Sequence, residues 1–117
     1  NLSNNNFSSI SSLSNLKELT NLSLSNNPIS DISPLLGLIN STTGKIKFST
    51  LDLSNCSLVA TTSSGVDNID VLRQLHAAGL TKVTITGNTA LTDTTKIECQ
   101  AYITELLEIF GTGLIYQ

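Results

Sequence analysis

Two stretches near the start of the chain repeat one residue pattern at a shift of 22 positions. Apolar residues and one asparagine recur in the same order and at the same spacing. The matched residues are Leu2, Asn5, Phe7, Ile10, Leu13 and Leu16 in the first stretch, and Leu24, Asn27, Ile29, Ile32, Leu35 and Leu38 in the second. A repeat of this length is one supersecondary unit that buries its apolar face only against a neighbouring unit. We therefore expect a stacked solenoid that functions through a surface.

The second unit contains a predicted strand, a turn and a return segment. Polar and apolar residues alternate over residues 21–25, which is the period of a half-buried strand and places Leu22 and Leu24 in the core. Asn27 and Pro28 then predict a turn, and a buried asparagine at such a corner can bond the backbone of neighbouring turns. An apolar residue at every third position predicts a 3₁₀-like or short helical return. These residues are Ile32, Leu35 and Leu38.

The segment LTNLSLSNNPISDISPL resembles the leucine-rich repeat family, in the 22-residue subclass typified by bacterial internalins. The resemblance is specific from Leu2 to Leu38 and looser afterwards. It implies an α/β fold, a right-handed curved solenoid with a parallel β-sheet on its concave face and short 3₁₀ or helical returns on its convex face. It also implies non-enzymatic protein binding through side chains of the concave face.

Later units keep the pattern but become longer. In the third unit Leu53 takes the place of Leu24, and Cys56 stands at the corner asparagine position, where a small thiol is readily buried. In the fourth unit Ile85 takes that place after a still longer step, with Asn88 at the corner. We expect one domain over 1–117. Its first part, 1–47, contains the regular units and a loop insertion at about 39–47. Longer units follow in 48–92, with a capping helix and tail in 93–117.

Two helices are predicted in the longer part of the chain. The first covers about 65–78, starts at a capping box from Ser64 to Asp67 and ends near Gly79. Its apolar stripe is formed by Val66, Ile69, Leu72 and Leu75.

The second predicted helix starts near Thr94 or Thr95 and stops at Gly111. We expect it to cover the open end of the solenoid as a C-terminal helical cap, with a final strand at 114–116. The apolar face of this helix consists of Cys99, Ile103, Leu106 and Phe110.

Charge and composition exclude several functions. The net charge is −3 and the six cations are scattered, so nucleic acid is not an expected partner. No apolar run approaches the roughly 18 residues of a membrane span, so membrane insertion is not expected. His76 is interpreted as a partly exposed boundary residue, and Cys56 and Cys99 lack other ligands at metal spacing. We predict no catalytic residues, no metal site and no cofactor.

The two cysteines allow two interpretations. Cys56 is expected in the core and Cys99 on the last helix, one or two repeats away. A disulfide needs Cα atoms within about 7 Å, so two buried free thiols are favoured over a Cys56–Cys99 disulfide.

The candidate partner-binding residues lie on the concave face, which has neither an aromatic residue nor an arginine, the residue types that dominate interface hot spots. A plain structural face, or the edge of a site formed mainly by other repeats, is therefore an alternative. A second candidate site is the glycosylation sequon at Asn40, in the inserted loop. The concave-face residues are Ser3, Asn21, Ser23, Ser25, Thr50, Asp52, Ser54, Lys82, Thr84 and Thr86.

These features predict a non-enzymatic protein–protein interaction module from the C-terminal part of a leucine-rich repeat solenoid. Ser, Thr and Asn make up 43 of 117 residues, which favours an extracellular or cell-surface location. The partner is another protein or further copies of the chain. The alternative is a structural, self-assembling component that uses the open N-terminal edge, where Leu2 is expected to be uncovered.

Overall fold

A parallel sheet of four short strands organises the part of the chain that the structure, a computed structural model, describes, which is residues 3–4 and 20–117. The sheet order is β1-β2-β3-β4, so each strand pairs with the next one in the chain. The strands are β1 (Leu22–Ser23), β2 (Thr50–Asp52), β3 (Lys82–Thr84) and β4 (Leu114–Ile115). A 3₁₀ helix, Ser33–Leu38, lies between β1 and β2, and α1 (Asn68–Ala77) lies between β2 and β3. The last connection contains α2 (Thr89–Thr92), α3 (Ile97–Phe110) and a 3₁₀ turn, Gly111–Gly113.

The register of the strands follows the repeat pattern. Leu22 pairs with Leu51, and Leu51 pairs in turn with Val83. The sequence intervals between these paired residues are the same as the intervals from Leu24 to Leu53 and from Leu53 to Ile85. The predicted alignment of the units is therefore confirmed. Leu114 continues the same column opposite Val83, so the predicted last strand is present at Leu114–Ile115. All four side chains are buried, and they form one apolar row beneath the sheet.

A left-handed backbone residue recurs at equivalent positions of the repeat. Asn4, Asn26, Asn55 and Gly87 have φ values of 62°, 61°, 54° and 81°. Asparagine and glycine are the residues that adopt this region most readily. The ladder of backbone hydrogen bonds extends to this point, since the Asn26 N–H donates to the Ser54 oxygen at 2.9 Å. The position recurs at the spacing of the units, although the sequence reasoning did not single it out.

The corner asparagine of the fourth unit joins two units. The buried Asn88 amide donates from Nδ2 to the Leu53 and Ile85 oxygens, both at 2.8 Å. Its Oδ1 accepts from the Cys56 N–H at 2.9 Å and from the Leu58 N–H at 2.8 Å. Leu53, Cys56 and Leu58 belong to the third unit, so the predicted bonding between turns is confirmed here.

The return segment after β1 is held by a buried asparagine that the sequence reasoning missed. Ser33–Leu38 is a 3₁₀ helix with Leu35 and Leu38 buried, as the spacing of three predicted. Asn68, at the start of α1, donates to the Ser30 oxygen at 2.6 Å and to the Val59 oxygen at 2.8 Å. Its Oδ1 accepts from the Ile32 N–H at 3.1 Å. One amide therefore fixes the third unit to the second on the side away from the sheet.

Helix α1 starts later than predicted. It begins at Asn68 instead of about 65, and the capping box that starts at Ser64 is wrong. The cap is Asp67, whose side chain accepts from the Asp70 N–H at 3.1 Å. The end agrees with the prediction, because Gly79 follows the helix at a φ of 123°, a conformation that favours glycine.

Helix α3 buries the predicted face but starts later than predicted. It begins at Ile97, since Asp93 Oδ1 accepts from the Thr95 N–H at 3.1 Å and holds residues 93–96 in a turn. The short helix α2 was not predicted. Helix α3 connects β3 to β4, so the predicted order of a helix followed by a final strand is present. Its buried residues are Cys99, Ile103, Leu106 and Phe110.

Candidate functional site

The predicted candidate residues on the strands form one surface, which we call the polar face. Each strand contributes residues on either side of its buried positions, and the register aligns them in rows across the sheet. Adjacent strands in a sheet lie about 4.8 Å apart, so side chains of one row are direct neighbours. The rows are Asn21, Thr50 and Lys82; Ser23, Asp52, Thr84 and Ile115; and Ser25, Ser54 and Thr86.

Two members of this surface differ from the sequence expectation. Ser25 was expected to point outward, but it is only 8% exposed, and its hydroxyl oxygen lies 3.4 Å from that of Ser23. Ile115 extends the middle row with a half-buried apolar side chain. Ser3 is half-buried, and it precedes Asn4, whose N–H donates to the Ser25 oxygen at 3.0 Å. The remaining candidates are half-buried or exposed.

A depression in the polar face was not predicted from the sequence. It has a volume of about 250 Å³ and lies between β1 and β2. Its lining residues are Asn21, Leu22, Ser23, Thr50 and Asp52, four of which are predicted candidates. Sequence alternation identifies which side chains face outward. The depth of a depression between two strands depends instead on the sizes and rotamers of the side chains in adjacent rows.

The carboxylate of Asp52 has a fixed orientation in this depression. Its Oδ1 accepts from the Ser54 N–H at 3.0 Å and from the Ser54 hydroxyl at 2.7 Å. Two bonds to one oxygen hold the side chain in a single position, and the second oxygen, Oδ2, accepts no hydrogen bond from the described residues. The site therefore presents a preoriented acceptor.

The Asn40 sequon lies in an exposed turn between the first 3₁₀ helix and β2. The Asn40 Oδ1 accepts from the Thr42 N–H at 2.8 Å and from the Thr43 N–H at 3.2 Å. The turn is closed by the Asn40 N–H, which donates to the Lys45 oxygen at 2.8 Å. The amide nitrogen that would receive a glycan thus belongs to an exposed side chain.

Both cysteines are buried free thiols in this structure. The Cys56 thiol donates to the Leu24 oxygen of the preceding unit at 3.0 Å. Asn27 Nδ2 donates to the same oxygen at 2.9 Å, so Cys56 partly replaces the missing corner amide. The Cys99 thiol donates to the Ala90 oxygen at 3.3 Å. Burial raises the pKa of the Cys56 thiol above its ordinary value of 9.0.

The raised pKa of Cys56 predicts a loss of stability at alkaline pH. The unfolded thiol ionises near pH 9.0 and the folded thiol only at higher pH, so the free energy of unfolding falls as the pH rises between the two values. The slope contributed by this one group is at most about 1.4 kcal/mol per pH unit. Urea unfolding of the wild type and of Cys56→Ala, from pH 7.5 to 10, measures the difference. Equal slopes in the two proteins would contradict the prediction.

Groups suited to catalysis or metal binding are not assembled in the described residues. His76 is exposed, with Nδ1 2.8 Å from the Leu80 oxygen and its ring edge-on to Phe110 at 5.1 Å. Residues 3–4 and 20–117 contain no group of three or more His, Cys, Asp or Glu side chains placed to hold a metal ion. In the same residues, no helix has the length and apolarity needed to cross a membrane.

Comparison with known proteins agrees with the repeat pattern. Residues 1–37 match the family model described as Leucine Rich repeats (2 copies). A search of curated proteins and a search of solved structures gave no match. The family match supports a leucine-rich repeat family, and the parallel sheet with its helices fits an α/β repeat fold. Domains of this family commonly mediate protein–protein interactions and are typically not enzymes.

Proposed function

We propose that this chain is a non-enzymatic protein–protein interaction module that binds another protein on its polar face. The observation that supports the proposal most directly is the alignment of the candidate residues in rows across four paired strands. A binding surface on a sheet has side chains positioned by backbone pairing, so little ordering is needed when a partner binds. The depression at Asp52 gives this surface a concave element into which a partner residue can insert.

The proposal places the module in a leucine-rich repeat solenoid of the internalin-like subclass, with the polar face on its concave side. Helix α3 would shield the end of that solenoid together with β4. The location proposed is extracellular or at the cell surface, which the high content of Ser, Thr and Asn supports. Glycosylation at Asn40 belongs to the same proposal, because its sequon lies in an exposed turn. A mass increase at Asn40 after secretion from a eukaryotic host, absent from Asn40→Gln, would test it.

Selection of peptides against the folded protein tests the binding face. Peptides enriched from a random phage-displayed library are measured against Thr84→Arg, which places a long cation in the middle row beside Asp52. The control is Ala101→Arg, which adds the same side chain at an exposed position of α3. We expect at least about a tenfold loss of affinity for Thr84→Arg and less than about a twofold change for Ala101→Arg. Equal losses, or none, would place the binding surface elsewhere.

Self-association is a second candidate function, favoured by the position of β4. This strand is the last in the sheet order, and no described strand pairs with its outer edge. Unpaired sheet edges are templates for pairing with another chain. The N-terminal edge invoked from the sequence, at Leu2, lies outside the described residues. Light scattering over a hundredfold range of concentration distinguishes the two functions, since a monomer throughout would exclude self-assembly through an edge.

A further inference from the structure

We propose that the depression between β1 and β2 receives an arginine side chain of the partner protein, with Asp52 as its ionic anchor. This inference rests on the proposed function, because it specifies the chemistry of the partner at the same face. Asp52 is the residue that binds the arginine in this proposal, and the other lining residues on β1 and β2 support that binding.

The acceptors in the depression match a guanidinium group. Asp52 Oδ1 is occupied by Ser54, which leaves Oδ2 as an acceptor without a donor among the described residues. Ser23 and Thr50 line the same depression, and a hydroxyl group can accept hydrogen bonds. A guanidinium carries five N–H donors in a planar fork, so it can reach a carboxylate and adjacent hydroxyls at once.

The depression also accommodates the apolar part of an arginine. Leu22 and Thr50 both contribute to its lining, although the Leu22 side chain lies beneath the sheet and only 4% of that residue is exposed. Arginine packs its methylene stem on apolar surface and keeps its charged head at polar groups. A volume of about 250 Å³ is sufficient for one side chain and too small for a folded element.

The charges around the depression favour an external cation. Arg73 forms ion pairs with Asp70 and with Glu105, and neither of these pairs involves Asp52. The nearest cation of the face, Lys82, lies opposite Thr50 on β3, on the far side of β2 from the depression. The net charge of −3 adds a weak attraction for a basic partner.

A titration with small probes tests the proposal without the natural partner. N-acetylarginine amide and its neutral isostere N-acetylcitrulline amide are added to the isotope-labelled protein, and the backbone amide resonances are followed by NMR. We expect the arginine probe to shift the amides of Ser23, Thr50 and Ser54 in a saturable manner. Binding of the citrulline probe should be at least about fivefold weaker, because only the charged form gains charge-assisted hydrogen bonds. Raising the salt concentration should weaken the arginine binding.

Two matched variants locate the binding. Asp52→Asn keeps an Oδ1 that can accept from Ser54 but removes the charge, and should lower the affinity for the arginine probe at least about fivefold. Asp31→Asn is the control, because Asp31 Oδ1 accepts from the Ser33 N–H at 2.8 Å in the same local arrangement but does not line the depression. It should leave the affinity unchanged within about twofold.

Specific outcomes would overturn the proposal. Equal affinity for arginine and citrulline probes, or equal loss in the two Asp→Asn variants, would exclude Asp52 as an ionic anchor. Equal affinity for N-acetyllysine amide would exclude a guanidinium site in favour of a general cation site. Selected peptides that lose affinity for Thr84→Arg but contain no essential arginine would overturn this inference and leave the proposed function intact. Peptides unaffected by Thr84→Arg would overturn the proposed function, whatever the arginine probe does.

Discussion

Replacing Asn88 with alanine is expected to lower the free energy of unfolding by about 4 kcal/mol, because several buried backbone groups lose their partners at once. The Asn88 side chain makes four hydrogen bonds of 2.8–2.9 Å, two as donor and two as acceptor. Alanine leaves the N–H groups of Cys56 and Leu58 and the oxygen of Leu53 without that amide. Each unsatisfied buried group costs about 1–3 kcal/mol. Urea unfolding followed by circular dichroism measures the loss.

The matched control for this prediction is Asn40→Ala. Asn40 also accepts two backbone hydrogen bonds through Oδ1, but it lies in an exposed turn where water can replace them. Its cost should be about 1 kcal/mol or less. If the free energy of unfolding falls equally in the two variants, burial of the Asn88 amide is not the reason for the loss of stability in Asn88→Ala. Loss of protection from hydrogen exchange at Cys56 and Leu58 should accompany the loss of stability in Asn88→Ala.

Replacing Gly113 with alanine is expected to lower the free energy of unfolding by about 3 kcal/mol and to weaken the pairing of β4. A Cβ atom at this position would lie 2.0 Å from the Thr81 oxygen, which is a backbone atom. That backbone cannot move freely, because the Thr81 N–H and hydroxyl both donate to the Ser49 oxygen, at 3.0 and 3.1 Å. The clash must therefore push the turn before β4 away from β3.

The control for Gly113 is Gly65→Ala, where the added methyl group meets nothing within 4 Å although φ is +94°. Only local backbone strain of about 1 kcal/mol is expected there. The specific readout for β4 is hydrogen exchange at the Ile85 N–H, which donates to the Ile115 oxygen at 2.8 Å. Unchanged protection at Ile85 in Gly113→Ala would show that β4 tolerates the added carbon.

Much of the fold could be predicted because repetition makes one local pattern occur several times. The alternation around Leu22 and Leu24 identifies one strand, and the spacing of its equivalents gives the register of the strands that follow. The placement of apolar residues on one face of a helix identified the buried residues of α3 in full. Helix starts were less accurate, because side chains such as Asp67 and Asp93 compete for backbone N–H groups within a few residues of each other.

The candidate site was predictable as a set of residues but not as a shape. Alternation placed Asp52 and Thr50 on the outer side of β2, and the structure places both in the same depression. The burial of Ser25 was missed because alternation assigns a side chain to one side of a strand but does not give its exposure. Ile115 was missed as a member of the face, since its strand contains just two residues.

The sequence by itself determined the repeat, the residues beneath the sheet and the corner positions, because each follows from local periodicity and side-chain polarity. Only the tertiary structure decided how adjacent units are joined. Asn68 bonds groups 36 and 38 residues away, and Gly113 permits the close approach of Thr81, and neither contact has a local signature. The orientation of Asp52 and the depression beside it also depend on two strands that belong to different units, and thus on packing between those units.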